Sequence, residues 1–479
     1  MLERAAAVLS SGQEGITASR PRIANKHVRT LPLHLRHNIK NTTMATPYIS
    51  PKTSTEDIDV EISPKAARVD SVPRNKFEYD LTTMEGVRSF LYEQTGESKK
   101  FELQALTGGT ANHVYRMTDR AEGRKGQTRI WKHAAPGLAS NPRFRLDPAR
   151  MDFEAQVLLG LDREFECPFN TAECLRECLI DGTHVHTVYR GYYERDIKLL
   201  CLEDAGRQNL KEAYLDLSKD QVEVIGAELG KWLAKLHGRT PRSIITEAAE
   251  HPDINNNTGM QIAGFTYKNL PGTLGSSDPD QELADTIAKH FDGLIGDDKE
   301  CVCHGDFWPG NIMVRGREGG AGHVLTVIDW ELVRIGNGAT DVGQFAAEAF
   351  LLDRYHGNKG LRAAFIRAYL QSSAVNFGSK ELIYPWMTRV AVHFAAHLAV
   401  WPTRGVHWAS KEDTTALSGL ARAILKDAVS ATPDLRIWRV FDGLQNLDQI
   451  AAEMMVKRGD PFKRKTEDNK TDAQPEATL

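Results

Sequence analysis

The pattern of apolar positions changes character near residue 204. Before it, short runs rich in β-branched, aromatic and aliphatic residues predict strands at 101–106, 112–118, 129–133, 186–190 and 198–203. A helix is predicted at 147–161 from the helical spacing of Met151, Ala155 and Leu158. The chain from 77 to 204 is therefore predicted to form a small, mainly antiparallel sheet with one inserted helix.

After Asp204 the spacing becomes mainly helical. Val222, Ile225 and Leu229 fall on one stripe, and the same periodicity predicts further helices at about 281–295, 340–356, 359–374, 379–400 and 411–431. Two short apolar runs, 312–314 and 324–328, predict strands among these helices. The sequence thus predicts an α+β fold, with a sheet-containing part at 77–204 and a helical part at 205–455.

Both ends of the chain are poor in apolar residues. Residues 1–76 and 456–479 lack sustained periodicity and are predicted to be disordered. Arginine and lysine dominate the first forty residues, a bias typical of a mitochondrial transit peptide. A basic tail, or an over-long gene model whose true start is Met44, would explain the same bias. We expect a cytoplasmic protein, with mitochondrial targeting as the alternative.

Composition excludes several classes of function. The 479 residues include 60 Lys+Arg and 64 Asp+Glu, so bulk charge does not indicate a nucleic-acid binder. Because no stretch reaches the roughly 18 to 20 apolar residues of a membrane span, no membrane partner is expected. The six cysteines lack the paired spacing of a zinc knuckle and fit a reducing compartment. The oligomeric state stays open.

Two segments contain the residue types that phosphoryl transfer requires. The first, HGDFWPGN at 304–311, places Asn311 five positions after Asp306. The second, IDWE at 328–331, ends an apolar run with Asp329 and Glu331. Carboxylate and carboxamide oxygens are suitable ligands for Mg²⁺, and a carboxylate can act as the base at an attacking hydroxyl. The pattern predicts magnesium-assisted transfer of a phosphoryl group.

These motifs resemble those of the aminoglycoside phosphotransferase and choline kinase superfamily, whose members share the two-lobed protein-kinase-like fold. Within it, the sequences around 132 (WKHAAP), 154 (RMDFEAQVL) and 328 (IDWEL) are most similar to methylthioribose kinases and their fungal hydroxytryptamine kinase-like relatives. The likeness covers about residues 80–430. It implies that Asp306 is the catalytic base, and that Asn311, Asp329 and Glu331 are the magnesium ligands.

The same resemblance implies an ATP site in the sheet-containing part. The Gly108-Gly109 turn and Asn112 would approach the phosphates, since a glycine turn lets backbone N–H groups come close to an anion. Lys132 would contact the α- and β-phosphates and pair with Glu154 on the next helix. Glu203 would lie at the hinge that binds adenine through backbone groups.

We therefore expect an ATP-dependent and Mg²⁺-dependent kinase that phosphorylates a hydroxyl of a small-molecule metabolite. Two alternatives stay open: an aminoglycoside-type antibiotic-modifying phosphotransferase, and a nucleotide-binding pseudokinase scaffold. A near match to a phosphate-binding loop at 226–232 is rejected, because it lies within a predicted helix and has Trp232 in place of Ser or Thr.

Overall fold

A computed structural model describes residues 79–96, 100–106, 111–165, 184–240, 242–246, 255–274, 278–317, 322–373, 380–403, 410–430, 438–442 and 444. The terminal extensions predicted at 1–76 and 456–479 lie outside these residues. The described part has the predicted α+β fold, with an antiparallel sheet followed by a mainly helical part.

Five strands form the main sheet in the order β1-β2-β3-β6-β5, and every neighbouring pair is antiparallel. Their bounds are Phe101–Ala105 (β1), His113–Asp119 (β2), Thr128–His133 (β3), Arg190–Glu194 (β5) and Leu199–Glu203 (β6). Helix α1, Met84–Thr95, precedes the sheet, and Thr83 caps it by accepting a hydrogen bond from the Gly86 N–H. Helix α2, Arg150–Phe165, is the predicted inserted helix.

The predicted strand at 186–190 is wrong in its extent and partners. The chain forms β4 at His184–Thr187, which pairs parallel to β9, His323–Val327, in a separate three-stranded sheet. β8, Ile312–Gly316, completes that sheet as an antiparallel neighbour of β9. A new strand, β5, then joins the main sheet, so the segment that appeared to be one strand connects two sheets.

In the described residues, the helical part contains the predicted helices and four others. These are α3 Leu210–Ala213, α4 Lys219–Arg239, α5 Ser243–Thr246, α6 Asn257–Lys268, α7 Leu270–Leu274, α8 Asp278–Asp297, α9 Ala339–Tyr355, α10 Leu361–Ser372, α11 Lys380–Val400 and α12 Lys411–Ala428. Strand β7, Cys301–Cys303, pairs antiparallel with strand β10, Arg334–Gly336. Along the chain, both strands lie between α8 and α9. Within the described residues, no helix is both long and apolar enough to cross a lipid bilayer.

Two apolar clusters hold these elements together. The smaller one packs Val87, Phe90 and Leu91 of α1 on one face of the main sheet, against Tyr115 and Trp131. The larger one is continuous from α2 through the helical part and includes the residues on both sides of the predicted motifs. Because interiors pack as densely as organic crystals, this continuity fixes the motifs relative to one another.

The rejected phosphate-loop match has a packing role. Gly226 and Gly230 lie within α4 and face α10 at close range. A methyl group at Gly230 would lie 2.3 Å from the Phe365 carbonyl oxygen, and one at Gly226 would lie 2.8 Å from that of Leu361. The glycines therefore let the two helix backbones approach, which explains their spacing without any ligand.

We expect Gly230→Ala to destabilise the protein by about 1 to 3 kcal/mol, because the new methyl group overpacks a backbone contact. Gly419→Ala in α12 is the matched control, since no atom lies within 4 Å of the methyl group it would add. There the free energy of unfolding should rise by about 0.5 to 1 kcal/mol. Urea denaturation of both variants checks this, and equal effects would show that α4 and α10 are not in close contact.

Candidate active site

A buried lysine connects the main sheet with the segment after β9. Lys132 lies on β3, and its Nζ donates to both carboxylate oxygens of Glu154, at 3.0 and 2.8 Å. The same ammonium group also donates to Asp329 Oδ1. Glu154 is fully buried and Lys132 is nearly so. The carboxylates of Glu154 and Asp329 thus meet at the ammonium group of Lys132. The expected ion pair between Lys132 and Glu154 is one of the two contacts.

The pKa values of this group follow from burial and mutual attraction. Burial raises the pKa of Glu154 to about 7, against the opposing effect of Lys132. Burial alone would lower the pKa of Lys132, but the carboxylates of Asp329 and Glu154 outweigh it and raise that pKa. Burial likewise favours the protonated form of Asp329, yet Lys132 holds the pKa of Asp329 below its usual value. Lys132 and Asp329 are therefore charged at neutral pH.

The segment after β9 turns sharply at Asp329. This residue adopts φ = 67°, in the left-handed region where aspartate and asparagine are the most tolerated non-glycine residues. The next residue, Trp330, is fully buried and anchors the turn. Its indole N–H donates to the Val327 carbonyl at 3.1 Å, and its backbone N–H donates to Glu154 Oε1 at 3.2 Å. The turn is therefore fixed from both sides.

The loop after β7 is held by Asp341, at the start of α9. Its two carboxylate oxygens accept the backbone N–H groups of His304 and Gly305, at 2.7 and 3.0 Å. Although burial opposes ionisation, the hydrogen bond from His237 keeps the pKa of Asp341 at about 2. Gly305 has φ = 86°, and a side chain there would lie 2.0 Å from the Leu332 carbonyl oxygen. The backbone conformation of this loop is thus fixed by the hydrogen bonds to Asp341 and by the lack of space for a side chain at Gly305.

His304 supports the loop as an uncharged ring. Burial lowers its pKa, so the imidazole is neutral at physiological pH. Its Nε2 lies 3.1 Å from the Ile328 carbonyl, and its Nδ1 accepts the Asp306 N–H at 3.2 Å. Both contacts are satisfied when the proton is on Nε2. The ring therefore joins the segment before Asp329 to the segment containing Asp306.

Asp306 itself is buried and has an amide donor at each carboxylate oxygen. Gln344 Nε2 lies 2.6 Å from Oδ1, and Asn311 Nδ2 lies 3.2 Å from Oδ2. Asn311 Nδ2 also donates to the Asp306 carbonyl, at 3.0 Å. The Asn311 carbonyl accepts the Ile328 N–H at 3.0 Å. Asn311 therefore lies beside the residue that precedes Asp329, and the two predicted motifs form one site.

Glu331 contacts protein donors. Its Oε2 accepts from Arg150 Nε and from Asn112 Nδ2, each at 2.8 Å. One oxygen atom from each of Glu154, Asp329 and Glu331 nevertheless lies within 4.8 Å of the other two, a spacing compatible with a metal ion. Asp329 and Glu331 are predicted metal ligands, whereas Glu154 was predicted only to pair with Lys132. Glu331 in addition has two protein donors.

The remaining predicted nucleotide contacts lie on the sheet side. Gly108 and Gly109 are outside the described residues, whereas Asn112 is buried just before β2. Glu203 ends β6, and its backbone N–H donates to the Tyr189 carbonyl at 3.0 Å. Asp204, the next residue, accepts a bidentate ion pair from Arg116 at 2.6 and 3.0 Å. This pair fixes the segment where the sheet continues into the helical part.

Sequence reasoning missed Arg150, Asp341 and Gln344. Arg150 lies one helical turn before Glu154, so its spacing placed it on the same face of α2. Asp341 and Gln344 are polar residues one turn apart in α9, a helix whose other described positions are almost all buried. Polar residues at helical spacing inside a buried helix were therefore the available signal.

The chain is similar to known phosphotransferases. The sequence profile described as "Phosphotransferase enzyme family" matches residues 102–381. A 4-hydroxytryptamine kinase from Psilocybe cubensis is 23% identical over 354 residues, which cover 70% of this chain and 90% of that protein. A 4-hydroxytryptamine kinase from Psilocybe cyanescens is 24% identical over 345 residues, with the same coverage of each chain.

Two solved structures are similar to this chain at low sequence identity. The GDP complex of aminoglycoside 2'-phosphotransferase-IIIa is 13% identical with a TM-score of 0.41, covering 70% of this chain and 97% of that one. Plasmodium vivax ethanolamine kinase is 14% identical with a TM-score of 0.42, covering 74% and 93%. The profile match alone extends over more than half of the 479 residues. The chain therefore belongs to the phosphotransferase enzyme family and is a small-molecule kinase.

Proposed function

We propose that this protein transfers the γ-phosphate of ATP to a hydroxyl group of a small metabolite, with Mg²⁺ as the cofactor. The observation that carries the proposal is the hydrogen bond between the Asn311 carbonyl and the Ile328 N–H. It joins the segment that contains Asp306 and Asn311 to the segment that contains Asp329, which supports a common site for their side chains. Phosphoryl transfer depends on positioning and on electrostatic stabilisation, and these residue types provide both.

The donor set fits a hard divalent cation. Asn311 and Asp329 offer oxygen atoms, which Mg²⁺ prefers over nitrogen or sulfur. The site has four carboxyl groups, Asp306, Glu154, Asp329 and Glu331, against two cationic side chains, Lys132 and Arg150. That surplus suits a divalent ion. A cation held there would supply positive charge that offsets the negative charge of the nucleotide phosphates.

Asp306 would act at the acceptor hydroxyl. Its carboxylate is oriented by Gln344 and Asn311, so the group needs little reorganisation before it accepts a proton. Lys132 would contact the phosphates while Glu154 keeps its ammonium group in place. Asn112 and the glycine turn at Gly108 and Gly109 would approach the phosphates from the sheet, and Glu203 would lie at the adenine.

The acceptor that the comparisons support is a small hydroxylated molecule. Both 4-hydroxytryptamine kinases match this chain over 90% of their own length, so the similarity includes the helical part as well as the nucleotide side. Hydroxylated aromatic amines are therefore the first acceptors to test. ADP release in their presence, compared with release without acceptor, measures the activity directly.

We expect Asp306→Asn to reduce turnover by about 10²- to 10⁴-fold, the usual contribution of a positioned general base. Nucleotide affinity should change little, because the substitution keeps the side-chain shape and lies on the acceptor side. Coupled ADP-release assays and isothermal titration calorimetry with MgADP separate the two effects. Asp297→Asn, at the exposed end of α8, is the control and should behave as wild type. Full activity of Asp306→Asn would contradict the assigned role.

Asp329→Asn tests the metal site. Asparagine tolerates the left-handed backbone at this position, and Lys132 keeps its pair with Glu154, so the variant should fold. We expect the Mg²⁺ concentration for half-maximal ADP binding to rise at least about tenfold, since a charged ligand is lost. Titration of Mg²⁺ at fixed ADP checks this in a binding assay without turnover. An unchanged Mg²⁺ requirement would remove Asp329 from the proposed ligands.

A further inference from the structure

Arg150, the first residue of α2, has a guanidinium group that is completely shielded from solvent. Its Nε donates to Glu331 Oε2 at 2.8 Å, and its Nη2 donates to Asn112 Oδ1 at 2.9 Å. Nη1 donates to the Asp147 carbonyl at 3.0 Å. A buried arginine that uses all three nitrogen atoms on separate segments is held rigidly.

Asn112 contacts both Arg150 and Glu331, so that the three side chains form a hydrogen-bonded triangle. Its Nδ2 donates to the same Glu331 Oε2, at 2.8 Å, while its Oδ1 accepts from Arg150. The three residues are each at most 6% exposed. They come from the start of β2, the start of α2 and the turn after β9. The triangle therefore joins the segment on the phosphate side of the proposed site to the segment that contains Asp329.

The contacts of Glu331 Oε2 are with protein donors. Its Oε2 already accepts two hydrogen bonds, one of them from a cation that is buried with it. Because Mg²⁺ requires near-ideal octahedral geometry at 2.0 to 2.1 Å, an oxygen atom that already has two protein donors is a poor ligand for it. The backbone of Glu331 is also fixed, because its carbonyl accepts from Asn256 Nδ2 at 2.8 Å.

We propose that Arg150 is a positioning residue, which uses Glu331 as its anchor to set the separation between Asn112 and Asp329. This inference rests on the proposed function, since that separation matters only if phosphates and Mg²⁺ lie between the two residues. Arg150 contacts neither ligand itself. Glu331 accordingly contributes to nucleotide binding through Arg150 and Asn112.

The test compares nucleotide binding in Glu331→Gln, Arg150→Lys and the double variant. Glu331→Gln keeps an oxygen that can accept from Arg150 but removes the charge, and Arg150→Lys keeps the charge but not the branched donors. Isothermal titration calorimetry measures ADP affinity with Mg²⁺ and with EDTA, and a Mg²⁺ titration at fixed ADP gives the metal requirement. Arg389→Lys, which alters the ion pair with Asp298 in the helical part, is the matched control.

We expect each single variant to weaken ADP binding about tenfold, the lower end of the range for residues that orient a ligand-binding group. The loss should be similar with Mg²⁺ and with EDTA, and the double variant should bind little worse than the weaker single variant, because both substitutions break one unit. The Mg²⁺ requirement should stay near that of wild type. Arg389→Lys should lower the melting temperature without changing ADP affinity.

Three results would overturn the inference alone. A rise in the Mg²⁺ requirement of Glu331→Gln, as large as that expected for Asp329→Asn, would make Glu331 a metal ligand. Unchanged ADP affinity in folded single variants would make the triangle a packing feature only, and additive losses in the double variant would mean that the residues act separately. Wild-type protein that binds no nucleotide would overturn the proposed function as well, and this control is measured first.

Discussion

The structure depends on a set of charges that are buried together. Lys132 is withdrawn from water beside Glu154 and Asp329, and an isolated ion in that position would cost several kcal/mol. Each of these three charged side chains is tolerated in the interior because the other two are present. The sheet, α2 and the turn after β9 must therefore assemble in one relative arrangement. The apolar core supplies the driving force for folding, while this charge cluster determines which polar groups meet inside it.

Helix α9 provides a second constraint on the proposed site. Asp341 holds the backbone of the loop after β7, and Gln344 one turn later holds the side chain of Asp306. One rigid helix therefore positions both the loop and its carboxylate. Elements of regular structure locate side chains more accurately than loops do. Through its hydrogen bonds, α9 therefore fixes the position of the loop after β7 and of the Asp306 carboxylate.

The sequence predicted the local features of this site better than the long-range ones. Periodicity located α2, α4 and α8 to α12, whereas α3, α5, α6 and α7 were not predicted. The family resemblance brought Lys132, Asp306 and Asp329 into one hypothesis. The change of sheet between β4 and β5 was missed, because an apolar run does not reveal which strand it pairs with. The contacts of Arg150 and Gln344 were missed as well, since they join residues 181 and 38 positions apart. Such pairs leave no periodic signal in one sequence.

The two ion pairs that reach the turn after β9 also limit how the molecule can move. Lys132 and Arg150 both belong to the sheet side, and their partners Asp329 and Glu331 lie on the other side of the proposed phosphate site. A rotation that widened this gap would separate buried opposite charges before any solvent or ligand could replace them. The sheet and the helical part are thus coupled electrostatically. Any opening motion that moved the two sides apart would therefore have to break both ion pairs.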